Sequence, residues 1–496
     1  MKKHKGKILV LFLAVLLVSV MSCENPFLKK MLVEEEKGKT VPEKPHAPFV
    51  EGGASLILSP DKLDIKVKVT TADNSSVRIE GCTETELTSG TETVLHAKGT
   101  VVILKGKIIE LYCGAYKYNG SYNNIQNKLT ALNVQGLPAL QVLECKRNQL
   151  TALNVQGLTA LQSLGCGGNQ LTELNVQGLT ALKELYCSYN QLTALNVQGL
   201  TALGTLHCNG NQLTALNVQG CTVLKELFCE YNQLTALNVQ GLTALQRLIC
   251  YGNQLTALNM QGLTALKELN CSHNQLTALN VQGLTALKEL HCWDNQLTAL
   301  NVQSLTALQR LLCGDNQLTE LNVQGCTDLR ELGCGGNRLT ALNVQGLTAL
   351  QSLGCGSNRL TALNVQGCTA LKNLGCIRNQ LTALNVQGLT ALRGLYCSGN
   401  PLTELNVQGL TALRTLDCCN NQLNADAFKK LFTDLPARQD SDDAKCVLYT
   451  ERTDVTEGNH TDFTAPQDLK DAFDNAKHNK KWKMYKRDGS WPGVEI

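Results

Sequence analysis

The chain has 496 residues, of which 43% are hydrophobic, 4% aromatic and 18% charged, with a formal charge of +3. A balance this near neutrality gives no reason to expect a nucleic-acid or polyanion partner, and so few rings leave small aliphatic side chains to fill the interior. The length suits about three ordinary domains, unless a repeat makes it one continuous body.

Lys2, Lys3, Lys5 and Lys7 precede an apolar run from Ile8 to Met21 that only Ser19 interrupts. Fourteen helical residues span about 21 Å, short of a bilayer core of about 30 Å. Residues 1–22 therefore read as a cleaved export signal rather than a membrane span. The run ends Val20-Met21-Ser22-Cys23, which resembles a bacterial lipobox. That resemblance implies acylation of Cys23 and attachment to a membrane; an ordinary secretory signal with an incidental cysteine is the alternative. Residues 23–53 carry Glu34-Glu35-Glu36, lysines, Pro42, Pro45 and Pro48 without an apolar period, and read as a disordered tether.

Residues 54–111 alternate Thr, Val and Ile with polar residues, as in Leu63-Asp-Ile-Lys-Val-Lys-Val69 and Thr100-Val-Val-Ile-Leu104. This predicts a β-rich N-terminal cap. It ends in a divergent coil at Leu111-Tyr112-Cys113, and a Tyr/Asn/Gly-rich insertion, 115–124, follows.

From 112 to 423 the chain is periodic. Asn127 and Asn421 lie 294 residues apart, fourteen steps of 21, and an asparagine stands at every step. A representative unit is Leu161-Gln-Ser-Leu164-Gly-Cys166-Gly-Gly-Asn169-Gln-Leu171-Thr-Glu-Leu174-Asn-Val176-Gln-Gly178-Leu179-Thr-Ala181. In Leu164-x-Cys166 the spacing of two points both side chains inward from a short strand. Stacked in parallel at about 4.8 Å, fifteen coils make a body about 70 Å long. Asn169 is placed to satisfy backbone groups where the chain leaves the strand, as a buried ladder. Gly178 suits a bend needing positive φ; Ser304 is the exception at that position. The half-unit Leu171 to Val176 predicts a second extended segment, not a helix, on the convex side.

The pattern L-x-x-L-x-C-x-x-N-x-L resembles the leucine-rich repeat, in a 21-residue subtype found among bacterial surface proteins. The fold expected is a leucine-rich-repeat solenoid, β-rich, with stacked parallel strands and little α-helix. The resemblance implies adhesion to host tissue, host proteins or neighbouring bacteria; together with the lipobox-like Cys23, the location expected is a lipid anchor on a surface-exposed outer membrane.

Fourteen cysteines from Cys145 to Cys418 share one repeat position, and Cys221, Cys326 and Cys368 stand where other coils have leucine. Interchange with leucine points to buried thiols. A strand spacing of about 4.8 Å ill suits disulfides, and a linear ladder does not supply tetrahedral metal ligation. So many free thiols in an exported protein suggest a reducing habitat. The remainder, 424–496, predicts a small α/β C-terminal cap: a helix from Ala425 to Leu435 stopped by Pro436, a strand Lys445–Thr450, a helix 467–475 and a strand 481–486.

Variation between coils concentrates at the outward strand positions and on the turn before the asparagine. These positions carry Tyr186, Tyr189, His207, Phe228, Tyr231, Arg247, Tyr251, His273, His291 and Trp293. Tyr, Trp and Arg dominate interface hot spots, so these ten are the expected partner-binding residues on the concave face. Glu184, Glu226, Glu268, Glu289 and Glu331 form an acidic row beside them. The expected partner is a protein on a host or bacterial surface, with no nucleic acid and no cofactor. Stacking of the same rings on sugars makes a carbohydrate-binding surface protein an alternative; an enzyme with chemistry in a cap is another, and a purely structural envelope component a fourth. No catalytic motif or phosphate loop occurs. His207 and His291 stand four coils apart, roughly 19 Å, too far to share a metal. A basic aromatic run near the end, with Lys477, Lys480, Lys481, Lys483, Lys486, Arg487, Trp482 and Tyr485, reads first as the solvated face of the cap.

Overall fold

The computed structural model describes residues 46–115, 117–118, 121–122, 126–452 and 454–496. The expected signal, Cys23 and most of the tether lie outside the described residues, as does part of the 115–124 insertion.

Alternation builds the N-terminal cap. Seven strands follow in order: β1 (Gly53–Leu58), β2 (Asp64–Thr71), β3 (Val77–Glu80), β4 (Glu86–Leu87), β5 (Glu92–His96), β6 (Val101–Lys105) and β7 (Ile108–Tyr112). In β2, Ile65, Val67 and Val69 are buried while Lys66 and Lys68 reach outward, as a period of two requires. Two sheets share one core. In the first, β4, β3, β6 and β1 run antiparallel, and β1 pairs with Leu129–Asn133 of the first regular coil. In the second, β5, β2 and β7 run antiparallel, and β7 then pairs in parallel with Val142–Glu144. The cap thus extends both walls of the solenoid and covers its open end, which an uncapped stack leaves bare. Ordered structure begins by Ala47, not Ala54. Asn133 Nδ2 donates to Ala47 O at 3.1 Å, and Ala47 is buried. These contacts are made through backbone carbonyls, which a reading of side-chain polarity does not register.

Beyond β7, fourteen three-residue strands, from Val142–Glu144 to Thr415–Asp417, stack in parallel with equivalents 21 residues apart, such as Leu143 with Leu164 and Leu185 with Leu206. The pairings form a linear series from β5 to Val494–Glu495, so the sheet is open and not a barrel. The opposite wall is mostly extended; Ala194–Asn196 and Ala215–Asn217 pair there as short parallel strands. In each coil the strand leucine and the cysteine beyond it are buried, as at Leu164 and Cys166, both 0% exposed. Burying one leucine contributes about 1.5–3 kcal/mol, so the repeat is its own core. The described cysteines are all free and buried. Burial raises the Cys113 and Cys166 thiols to about 12, which keeps them protonated and unreactive.

The asparagine ladder closes each coil. Asn169 Oδ1 accepts the Leu150 amide at 3.0 Å, and its Nδ2 donates to Cys145 O and Cys166 O at 3.1 and 2.9 Å. The residue before each ladder asparagine commonly takes a left-handed conformation: glycine in coils such as Gly210 (φ +63°), tyrosine at Tyr189 (+55°) and Tyr231 (+54°). Gly178 bends the chain at φ +83°.

At the far end α1 (Ala425–Asp434) starts where Asn424 accepts the Ala427 amide at 2.9 Å. It ends before Pro436, whose ring disfavours a helical predecessor. It buries Phe428, Leu431 and Phe432. Phe432 packs with Phe463 at 5.5 Å, and Phe463 stacks on Phe473 of α2 (Gln467–Asp474) at 5.2 Å. Lys445–Thr450 and Lys483–Arg487 extend the parallel sheet, and Asn459 takes the rung after Asn421.

Candidate functional site

The outward residues of each strand stand in columns, because the coils stack in register. The third strand position gives Tyr186, His207 and Phe228 in successive coils. Their rings touch: Tyr186 meets His207 edge-on at 5.0 Å, and His207 meets Phe228 at 4.2 Å. Cations close both ends, with Lys146 Nζ 4.2 Å from the Tyr186 ring and the Arg247 guanidinium 4.9 Å from Phe228. Each such contact contributes about 0.5–1 kcal/mol at an exposed site. Burial lowers the pKa of His207, against the pull of Glu226 at 3.8 Å. His207 is therefore a neutral ring in an aromatic stack.

Two further ring groups lie beside this column. Tyr231 meets Tyr251 at 4.7 Å, and burial together with the Tyr231 hydroxyl raises the Tyr251 phenol to about 12. His273 meets Trp293 at 3.9 Å, and its Nδ1 lies 2.5 Å from Asp294 Oδ2. His291 is partly buried and sits 3.8 Å from Glu289; burial lowers its pKa too. Among the described residues no group of three His, Cys, Asp or Glu side chains is placed to hold a metal.

Tyr189 and Tyr231 are the most outstanding of the ten, at 64% and 57% exposed. Each adopts a left-handed backbone, a conformation that costs a bulky residue about 1–3 kcal/mol. The glycine of the next coil makes room for each ring. A Cβ built on Gly210 would lie 2.7 Å from Tyr189 Cδ1, and one on Gly252 would lie 2.9 Å from Tyr231 Cδ1. Gly210 and Gly252 are thus part of the site, although sequence reasoning did not single them out. The signal was present as Tyr189, Gly210, Tyr231, Gly252, His273 at one repeat position.

The acidic row is not a free line of charge. Arg247 lies 3.6 Å from Glu226 and 2.7 Å from Glu268, and Arg310 lies 3.9 Å from Glu289 and 2.8 Å from Glu331. The arginines occupy the same column as the glutamates, so the row is a ladder of ion pairs along one side of the rings. Glu230 sits among the tyrosines at 9% exposure, and burial raises its pKa.

Farther along, the outward positions are glycine. Gly354, Gly356 and Gly375 floor a trough of about 490 Å³, walled at its far end by Tyr396, Trp491, Asp417 and Arg487. Arg487 pairs with Asp417 at 2.7 Å and lies 5.3 Å from the Trp491 ring. The basic aromatic run of the cap is tied down. Trp482 is buried and donates to Pro436 O at 2.8 Å, Lys483 pairs with Asp443 at 2.7 Å, and Lys486 pairs with Glu451 at 2.8 Å. Its tryptophan serves packing, and Lys483, Lys486 and Arg487 serve local pairing.

Short parallel strands in 21-residue register, an asparagine ladder and a leucine core define a leucine-rich-repeat solenoid. No protein-family model and no curated protein matches the chain. Among solved structures, the functional domain of InlJ from Listeria monocytogenes, which includes a cysteine ladder, is 30% identical, covering 72% of this chain and 78% of that one, with a TM-score of 0.60. A leucine-rich-repeat protein of Leptospira interrogans is 32% identical over 56% of this chain and 78% of its own, with a TM-score of 0.52. YopM from Yersinia enterocolitica, at 23% identity, 66% and 75% coverage and a TM-score of 0.52, shares the fold. The chain belongs to the bacterial leucine-rich-repeat proteins. No described helix is long and apolar enough to cross a membrane.

Proposed function

We propose that this protein is an exported, lipid-anchored binding protein that holds a protein partner against the aromatic groups of its strand face, in adhesion to host or bacterial surfaces. One observation carries the reading: in a chain with 4% aromatic residues, Tyr189 and Tyr231 hold large rings exposed at a left-handed repeat position that other coils fill with glycine or with polar residues such as Asp294, Asp315 and Ser357. Folding alone does not favour that arrangement. Exposed rings beside arginine are the groups that anchor protein interfaces.

The test is the combined change Tyr186→Ala, Phe228→Ala, Tyr251→Ala and Trp293→Ala in the full chain, displayed on cells and scored for attachment to epithelial cells and to neighbouring bacteria. Attachment falls with the fold intact by circular dichroism if the reading holds; unchanged attachment removes the face from the account. Anchoring at Cys23 is checked separately by labelled palmitate, which Cys23→Ala should abolish.

A further inference from the structure

A second column of side chains runs along the lip of the sheet, one residue before each strand. The amides of Lys183 and Glu184 both meet Gln162 O, at 2.8 and 3.1 Å. The strict alternation of the strand therefore begins at Glu184, and Lys183 stands at the rim. The same position carries Lys183, Lys225, Lys267, Lys288, Arg330 and Lys372, every one exposed. Arg393 follows, and Arg414 ends the column, paired with Asp442 at 3.0 Å.

From Lys183 to Lys372 the column climbs nine coil steps, about 43 Å at the spacing of parallel strands. Among the described residues none of these six cations has a carboxylate partner, because the nearby glutamates are engaged elsewhere: Glu226 and Glu268 with Arg247, Glu289 and Glu331 with Arg310. Lys183, Lys267 and Lys372 donate instead to the amide oxygens of Gln162, Gln246 and Gln351, at 3.0, 3.0 and 2.9 Å. An amide acceptor steers the ammonium along the rim without a direct ion pair. The near-neutral total conceals this line, since the adjoining column carries the glutamates Glu184, Glu226, Glu268, Glu289 and Glu331.

The spacing of the line selects a partner. Four of the five steps between the six cations are two coils, or about 10 Å, and the coils between them carry Gly204, Gln246, Gln309 and Gln351. Cations thus alternate with uncharged positions, three of them glutamines whose amide N–H groups can donate to a ligand. Two linked pyranose rings span a comparable length. Duplex DNA presents a charge every 1.7 Å or so, far denser than this row, and single strands are bound where aromatic rings interleave with the cations; this column has none. We propose that the rim binds a linear acidic polysaccharide bearing a carboxylate or sulfate on alternate sugars, at a surface distinct from the aromatic face.

The experiment measures binding of the full chain to hyaluronate and to chondroitin sulfate over a salt series, with dextran and a single-stranded oligonucleotide alongside. Binding to at least one acidic polysaccharide, weakening steeply with salt, is expected. The combined change Lys225→Gln, Lys267→Gln, Lys288→Gln and Arg330→Gln, all at exposed positions, should weaken it by about tenfold or more. The variant lacking Tyr186, Phe228, Tyr251 and Trp293 should bind the polysaccharide as the native protein does, which separates this surface from the protein-binding one. Failure to bind either acidic polysaccharide, equal binding of dextran, tighter binding of the oligonucleotide, or an unchanged rim variant would each overturn the proposal.

Discussion

Asn459 accepts the Leu423 amide on its Oδ1 at 2.9 Å, across a separation of 36 residues. Its Nδ2 donates to Cys418 O and Leu448 O, both at 2.8 Å. The geometry is that of every ladder asparagine, so the C-terminal cap docks by supplying one more rung. At the other end Asn127 does the converse, exchanging hydrogen bonds with Lys66 of β2 at 2.9 and 2.8 Å.

Asn459→Ala should therefore loosen the far end and leave the middle intact. It orphans one buried amide and two carbonyls, a loss of about 2–4 kcal/mol. Because coils interact only with their neighbours, hydrogen exchange should accelerate around Leu423 and Leu448 and stay slow around Leu269. Uniform acceleration along the chain would refute the local account.

Gly210→Ala addresses the tyrosine seat. The new methyl must occupy a left-handed backbone and meets the Tyr189 ring, so stability should fall by about 1–2 kcal/mol. Gly157, which has a positive φ and nothing within 4 Å of a built Cβ, isolates the backbone share through Gly157→Ala. Thermal melts of the two variants should differ, and only Gly210→Ala should reduce partner attachment.

Acidity should act through the buried groups of the aromatic face. His207 and His291 have folded pKa values below the ordinary 6.5 because burial penalises the cation. The stability they contribute is complete above that value and is lost as pH falls through the depressed ones. His207→Gln should flatten the decline in denaturant midpoint below neutrality. Glu230 has the opposite sign: its pKa is raised above 4.5, so its contribution is present below 4.5 and lost as pH rises through the raised value. Glu230→Gln should thus stabilise the protein at pH 7, with the gain vanishing in acid. Midpoints measured across pH check both.

Much of this was legible because the repeat states its own rules. Leu164, Cys166 and Asn169 announce the inward strand positions and the ladder by period alone, and the helix ending at Pro436 follows from local chemistry. Asn459 was hidden because it follows Asn421 by 38 residues instead of 21, and in sequence it looks like part of a glycosylation sequon. The Tyr189 and Gly210 pairing needs two coils laid side by side. The acidic row was misjudged because Arg247 was read as a separate outward residue and not as a member of the same column, which Arg310 shares. The lip of cations was in plain view as Lys-Glu-Leu triplets, yet a net charge of +3 averages it away.

Each ladder asparagine reaches back one coil and no farther, as Asn295 does to the Leu276 amide and to Cys271 O. Loss or duplication of one whole coil therefore re-forms every bond at the junction and strands no polar group, whereas an insertion of another length keeps the rung only where the extra residues loop out, as they do between Cys113 and Asn148. The length of the rod can therefore change by whole coils with the two end caps left as they are.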